Sequence, residues 1–331
     1  MANEIEKYNL LALSDIEKIN GFDEDDIEKL NGFEFTGTIP VQGIFAFGFD
    51  ASSATSGTSN LVNTSGVVGS DVSAVGTARQ KLGACEYGTG TAIFVYGSGG
   101  YDSNLINTSG VVASDVTGVG TSRNGMAGAA YGGDKGIFAF GTTGYASETG
   151  ISNLVSNSGV IASDTSGVGT ARRALGACEY GTQTAIFAYG QTEAASPYEH
   201  SKSNLVNSSG VIASDVTGVG TARFDVKAGS YGGDKGIFAC GTNRYGHMRD
   251  YTNLVSNSGV IASDVDAVGT SVKGGALTQY GSGTAIKAFG KDGSSTNIGI
   301  SHLISDSGTV GADVSAVGTG KQDLAAASFY A

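Results

Sequence analysis

The stretch SNLVSNSGVIASDTSGVGTARRALGACEYG at residues 152–181 decides the fold, because it recurs with small changes along most of the chain. Its aspartate returns as Asp71, Asp115, Asp164, Asp215, Asp264 and Asp313, at intervals of 44, 49, 51, 49 and 49 residues. A period of that length is that of a propeller blade and exceeds that of most helical solenoids. A short aromatic run ending in glycine accompanies every copy, at residues 44–48, 93–97, 137–141, 186–190, 237–241 and 286–290.

Within a copy the strand signals follow one another in a fixed order. In the second, LGACEYG (82–88) is a small-residue strand and AIFVYG (92–97) an apolar strand of the fully buried kind. NLIN (104–107) follows and then, past Thr108-Ser109-Gly110, VVASDV (111–116). The turn phrases NTSG, NSG and NSSG supply the Asn and Gly that tight hairpins need. Four antiparallel strands per copy are predicted.

Small residues (Gly83, Ala84, Gly128, Ala129, Gly176, Ala177, Ala325, Ala326) crowd the first strand, which suits the innermost position. Phe45, Phe94, Phe138, Phe187 and Phe238 are expected between neighbouring blades, each contributing about 1.5–3 kcal/mol when fully buried. Lys287 stands in this place in the sixth copy, predicting a weaker or solvated seam. The first copy opens at its second strand, and the chain finishes with a spare first strand, DLAAASFYA (323–331). The last strand should therefore complete the first blade and remove the open edges. The expectation is an all-β, six-bladed β-propeller over residues 41–331, closed by its C-terminal strand, behind a short N-terminal arm at 1–40.

The composition, 54 glycines, two prolines and no tryptophan, fits many short strands joined by tight turns. Formal charge is -12, and residues 1–40 carry ten acids against three lysines. That balance excludes a basic nucleic-acid-binding surface, so nucleic acid is not expected as a partner. Cys85, Cys178 and Cys240 cannot all pair and read as small buried apolar residues. No basic and apolar leader and no run of 18 apolar residues occurs, so neither Sec export nor a membrane span is expected.

In the arm, Ser14-Asp15-Ile16-Glu17 and Asp25-Asp26-Ile27-Glu28 fit a capping-box spacing, with Gly21 and Gly32 as stops, so two short helices are expected. Helices this short are marginal in water. Ile16, Ile19, Phe22, Ile27, Leu30 and Phe33 therefore need a surface, either the chain's own propeller or another protein subunit.

The order of arginine, small apolar strand, IFAFG-like strand, variable loop, short strand and turn resembles a kelch repeat over all six copies. It departs from the kelch pattern in having a single glycine after the second strand at most copies and no tryptophan. The near-identical SNLVSNSGVIASDVTGVGTAR phrases are similar to kelch-like repeats in structural proteins of tailed bacteriophages, particularly those infecting marine cyanobacteria. The echo DIEKINGF (15–22) and DIEKLNGF (26–33) resembles short "xIxxINGV" segments of phage virion and tail proteins. This resemblance implies a non-enzymatic virion protein, in a tail or surface appendage, acting in host attachment and docked on other virion proteins through its arm. The alternatives are a capsid decoration protein and a free carbohydrate-binding or adaptor propeller of cellular origin.

The loops between second and third strands (49–59, 98–103, 142–152, 191–203, 242–252, 291–301) differ in every copy while the scaffold repeats. A face of that kind is a natural binding surface. It holds Tyr101, Tyr145, Tyr198, His200, Arg244, Tyr245, His247, Met248, Arg249 and Tyr251, residue types that stack on sugars or grip a protein partner, with a host-surface glycan or receptor as the expected ligand. Unconstrained drift is the other reading. Arg79, Arg123, Arg172, Arg223 and Lys321 recur at the links near the channel mouth, with Val272 breaking the series. They read either as an anion-binding ring or as partners of the recurring aspartates.

On the opposite face the first-to-second turns alternate between YGTGTA-like and YGGDKG forms, so the blades come as three pairs. No HExxH, serine elbow, P-loop or paired-carboxylate setting stands out, so no enzyme, cofactor or metal site is expected. Calcium lacks a dense oxygen-ligand loop.

Overall fold

The computed structural model describes residues 41–330 except 53, 74, 182, 194–195 and 316–317, together with four two-residue strands among the first forty residues. The chain divides into two compact units, Met1–Ile39 and Pro40–Ala331.

In the first unit Lys18–Ile19 pairs antiparallel with Phe22–Asp23, Ile19 opposite Phe22, and Lys29–Leu30 pairs with Phe33–Glu34, Leu30 opposite Phe33. This corrects the expectation of two helices. Each register leaves two residues between the partners, and both times the sequence there is Asn-Gly, the dipeptide most favoured in two-residue hairpins. A capping-box spacing cannot outweigh that turn signal in a segment too short to repay helix nucleation. Of the proposed docking residues, Ile19, Phe22, Leu30 and Phe33 lie in these strands, and Ile16 and Ile27 lie outside the described residues.

The second unit is all-β, and its repeat forms six small antiparallel, propeller-like sheets, numbered here from 1 to 6 in chain order. Sheets 2 to 6 begin with inner strands Gly83–Tyr87, Ala127–Tyr131, Gly176–Tyr180, Lys227–Tyr231 and Ala276–Tyr280. Each pairs with a second strand (Thr91–Val95, Lys135–Ala139, Thr184–Ala188, Lys235–Ala239, Thr284–Ala288), which pairs in turn with a third (Ser103–Ile106, Ser152–Val155, Ser203–Val206, Tyr251–Val255, Ile300–Ile304). Sheet 1 is assembled from both ends of the unit. Ala325–Phe329 pairs with Gln42–Ala46, Phe329 opposite Gln42, and Gln42–Ala46 pairs with Ser59–Val62.

Each inner strand lies beside those of the sheets before and after it, and Ala325–Phe329 lies beside both Ala276–Tyr280 and Gly83–Tyr87. Small side chains permit this approach: a Cβ on Gly128 would stand 2.4 Å from the Ala84 carbonyl. Backbone hydrogen bonds run around both ends of the inner strands. At the turn end Gly88, Gly132, Gly181, Gly232, Gly281 and Tyr330 donate to Asp134, Gln183, Asp234, Gly283, Val41 and Gly90, at 2.7–3.2 Å. At the loop end Lys81 donates to Asp323, Gly125 to Lys81, Ala174 to Gly125, Asp225 to Ala174 and Asp323 to Gly274. Among the described residues the matching bond from Gly274 to Asp225 is missing, so sheets 5 and 6 meet without it.

The core lies in the seams. Phe45, Phe94, Phe138, Phe187 and Phe238 are fully buried, and four seams carry an edge-to-face aromatic pair, such as Phe140 with Phe187 at 5.5 Å between centroids. After every second strand the chain turns through a positive-φ residue and then glycine, as at Tyr96 (φ 51) and Gly97 (φ 113). A side chain on Gly97 would stand 2.6 Å from the Gln80 carbonyl, which explains the glycine that closes each aromatic run.

The fourth strand is a correction. Among the described residues only Val265–Asp266 and Val310–Ser315 form one, and in sheets 1 to 4 the segment ending in the repeated aspartate touches the third strand through isolated bridges such as Ser103 with Val116 and Ile106 with Val112. Between those bridges the outer segment has one residue more than its partner, the count of a β-bulge. A side chain takes over the ladder there: Asn104 Nδ2 donates to the Ala113 carbonyl at 2.9 Å and to Asp115 at 2.9 Å.

Candidate functional site

The repeated aspartate is a clasp between a sheet and the link leading into it. Asp115 accepts from the backbone N–H of Thr77 at 2.8 Å and from its hydroxyl at 2.7 Å. Thr121 with Asp164, Thr170 with Asp215, Thr221 with Asp264 and Thr270 with Asp313 repeat it. The sixth clasp, Thr319 with Asp71, joins residues 248 apart. Burial opposes the charge on Asp71, Asp115, Asp164, Asp215 and Asp264, yet the threonine and asparagine hydrogen bonds hold each carboxyl below the usual range, and Thr270 followed by His302 does the same for Asp313.

The link cations are placed inside the fold. Arg79, Arg123, Arg172, Arg223 and Lys321 are 0–2% exposed, so they present no ring to an anion in the channel mouth. Arg172 shows why. Its Nε donates to the Tyr189 carbonyl at 2.7 Å, one terminal nitrogen to the Thr170 carbonyl at 3.1 Å and the other to Asn204 Oδ1 at 2.7 Å. Its guanidinium also lies 4.3 Å from the Phe140 ring of sheet 3. Burial pulls Arg172 down to about 10, with Asp215 opposing that shift. The arginine–aspartate contacts themselves are long, 3.8 Å for Arg79 with Asp115 and for Arg223 with Asp264. Arginine therefore acts as a buried strut across a seam, and the threonine, more than the arginine, engages the aspartate.

With the links fixed, the variable loops stand on rigid bases. Asp50, Asn243 and Asp292 each accept two backbone N–H groups through a side-chain oxygen, closing the loop over its own base. Neighbouring loops are then tied together. Glu148 of sheet 3 accepts from the N–H of Glu193 in sheet 4 at 3.2 Å, and Glu199 of sheet 4 accepts from the N–H of Arg244 in sheet 5 at 2.6 Å. Asn297 of sheet 6 donates to the Phe49 carbonyl at 3.0 Å, tying loop 6 to loop 1.

Sheets 4 and 5 consequently share one cationic and aromatic cluster. The Arg244 guanidinium lies 3.9 Å from the Tyr198 ring and 5.7 Å from the Tyr245 ring, and Tyr245 lies 6.2 Å from His247. Tyr245 is 75% exposed and Tyr145, in the equivalent place on sheet 3, is 84% exposed. The other sequence-selected residues are spread differently. Tyr101 stacks on Tyr96 at 5.6 Å and gives its hydroxyl to the Gly120 carbonyl. His200 is buried, and burial followed by Arg172 and Lys202 pushes its imidazole down, toward the neutral form. Met248, Arg249 and Tyr251 are half-buried, the Arg249 Nε without a partner.

Sequence reading passed over two features. The inter-loop glutamates Glu148 and Glu199 fall in stretches that match no other copy, so only their shared position four residues before the third strand could have marked them. Glu86 and Glu179 interrupt the small-residue inner strands of sheets 2 and 4, and with Gln279 of sheet 6 they line an axial cavity of about 150 Å³. Ser328 donates its N–H and its hydroxyl to Glu86, both at 2.7 Å. Burial, and secondly Glu86, pushes the Glu179 carboxyl up to about 7. Among the described residues no group of three or more His, Cys, Asp and Glu side chains is arranged to hold a metal, and no helix is long and apolar enough to cross a membrane. No protein-family model matches the chain, and no curated protein matches it.

Proposed function

We propose that this chain is a non-enzymatic structural and binding protein, a six-bladed kelch-like β-propeller that presents its variable-loop face to a ligand. The observation that carries the reading is the contrast between six uniform clasps and the Tyr198–Arg244–Tyr245–His247 cluster, exposed at Arg244, Tyr245 and His247, that they support. Exposed tyrosines cost little conformational entropy to immobilise and offer both a ring face and a hydroxyl, and arginine adds charge-directed hydrogen bonds. A host-surface glycan or receptor suits that chemistry.

The phage resemblance of the repeat and of the DIEKINGF echo supports a place in a virion tail or surface appendage, with the N-terminal unit docking on other virion proteins. Mass spectrometry of purified virions tests this. A fixed low copy number in multiples of three or six supports a tail or appendage, hundreds of copies would move the protein to capsid decoration, and absence would leave a free binding module. Glycan arrays with Tyr245→Ala and Arg244→Ala then test the face itself. Loss of binding at an unchanged melting temperature is expected, and full binding by both variants would overturn the loop-face assignment.

A further inference from the structure

Four departures from the repeat fall at one seam. Cys240 stands where other copies follow the second strand with Phe47, Tyr96, Phe140, Tyr189 or Phe289. Val272 replaces the link cation, Lys287 the seam phenylalanine and His302 the third-strand asparagine. All four lie where sheets 5 and 6 meet, the place that also lacks the loop-end backbone bond among the described residues.

Of the weaker or solvated seam expected here, the solvated alternative is not met, because Lys287 is 2% exposed. Its Nζ lies 3.0 Å from Cys240 Sγ, and among the described residues it has no carboxylate within ion-pair distance. His302, opposite Lys287 in the strand register, engages Asp313 through Nε2 at 2.7 Å. A lysine withdrawn from water with sulfur as its partner is a costly way to fill the space of a phenylalanine. The arrangement brings a nucleophilic nitrogen onto an oxidisable sulfur across a seam.

We propose that Cys240 and Lys287 are a modification site, at which peroxide drives a sulfur–nitrogen crosslink between sheets 5 and 6. The Cys240 thiol first attacks hydrogen peroxide. The O–O bond breaks, one oxygen stays on sulfur as a sulfenic acid, and the other leaves as water. The uncharged Lys287 amine then attacks Sγ. The S–O bond breaks, and the departing hydroxide takes a proton from nitrogen and leaves as a second water. One thiol, one amine and one peroxide thus become a sulfenamide and two waters, sulfur losing the two electrons that the peroxide gains. A thiol reductant reverses the bond.

Selectivity follows from the neighbours. All three cysteines pack among apolar side chains, but Cys240 Sγ also meets Lys287 Nζ at 3.0 Å and Asp250 Oδ1 at 3.7 Å, while burial pushes the Cys85 and Cys178 thiols up, which keeps them unreactive. Peroxide is small, and local opening is easiest at the seam with the fewest ties.

The experiment treats the folded full-length chain with hydrogen peroxide and follows intact mass and unreduced peptide maps. The expected product is lighter by two hydrogens, maps to one crosslinked pair containing Cys240 and Lys287, returns to the starting mass with dithiothreitol and melts at a higher temperature. Cys240→Ser and Lys287→Arg should each abolish it, and Cys85→Ala should not. Should those variants fail to fold, peroxide treatment of the urea-unfolded wild-type chain replaces them, and the crosslink should then be absent. Cys240 ending as a sulfinic acid beside a freely acylated Lys287, a bridge that retains an oxygen atom, or equal crosslinking of the unfolded chain would each overturn the proposal.

Discussion

Replacing Arg172 with valine tests whether the link arginines are struts, because valine is what the protein itself uses at the one link without a cation. The change deletes three hydrogen bonds at 2.7–3.1 Å, two of them to buried acceptors, and the contact with Phe140. Charged hydrogen bonds contribute about 1.5–3 kcal/mol each, but relaxation limits such losses, and removing one partner of a buried ionic set costs about 3–5 kcal/mol. A destabilisation of about 4 kcal/mol is expected, seen as a lower urea midpoint at an unchanged slope. A transplant sharpens the test. Adding Phe140→Cys, Phe187→Lys and Asn204→His rebuilds at this seam the set found around Val272, and the quadruple variant should cost at least about 1 kcal/mol less than the four single changes summed. A loss below about 1 kcal/mol for Arg172→Val, or strict additivity in the quadruple, would refute the strut reading.

Three further outcomes are expected. Lys321 reaches Thr58 rather than Asn60, whose Oδ1 is left buried without a partner, and burial pulls its ammonium down to about 8; Lys321→Arg should therefore raise the thermal midpoint, stabilising by about 1–2 kcal/mol, and a lower midpoint would count against it. Glu179 is raised from 4.5 to about 7, so the folded state binds its proton more tightly and stability should fall as pH rises between those values, by about 3 kcal/mol in total. Glu179→Gln should flatten that decline in urea titrations at pH 5 and pH 8, and an unchanged pH slope would show that the carboxyl is not buried as described. Removing the last strand, Ala325–Phe329, leaves Gln42–Ala46 without its inner partner and takes away Leu324 and Phe329 packing when the cut is made after Asp323; loss of the cooperative transition in circular dichroism is expected, and a native-like melt would sink it.

Period and phrase were enough to delimit the sheets, because six copies average out local ambiguity and the aspartate marks the same place each time. What escaped the sequence was decided by side chains reaching across the chain. VVASDV alternates like a strand, but Asn104 intercepts its ladder, and nothing local announces that an amide side chain will do so. The arginines read as an anion-binding ring or as partners of the recurring aspartates, and their burial with carbonyl and asparagine acceptors makes them struts instead. In the arm, two signals competed at the same residues, and Asn-Gly prevailed over the capping box. Tyr198 and Arg244 come from different copies, and their stacking depends on how loops 4 and 5 lean together, which no single repeat encodes.

The clasp between Thr319 and Asp71 also sets a clock on synthesis. Sheet 1 has its second and third strands among the first residues of the unit to leave the ribosome, but its inner strand is among the last. Throughout elongation the nascent chain carries Gln42–Ala46 as an unpaired edge, exposed to chaperones and to neighbouring chains on the same message. A product that stops short of Ala325 keeps that edge, so synthesis of Ala325–Phe329 is itself the event that conceals it.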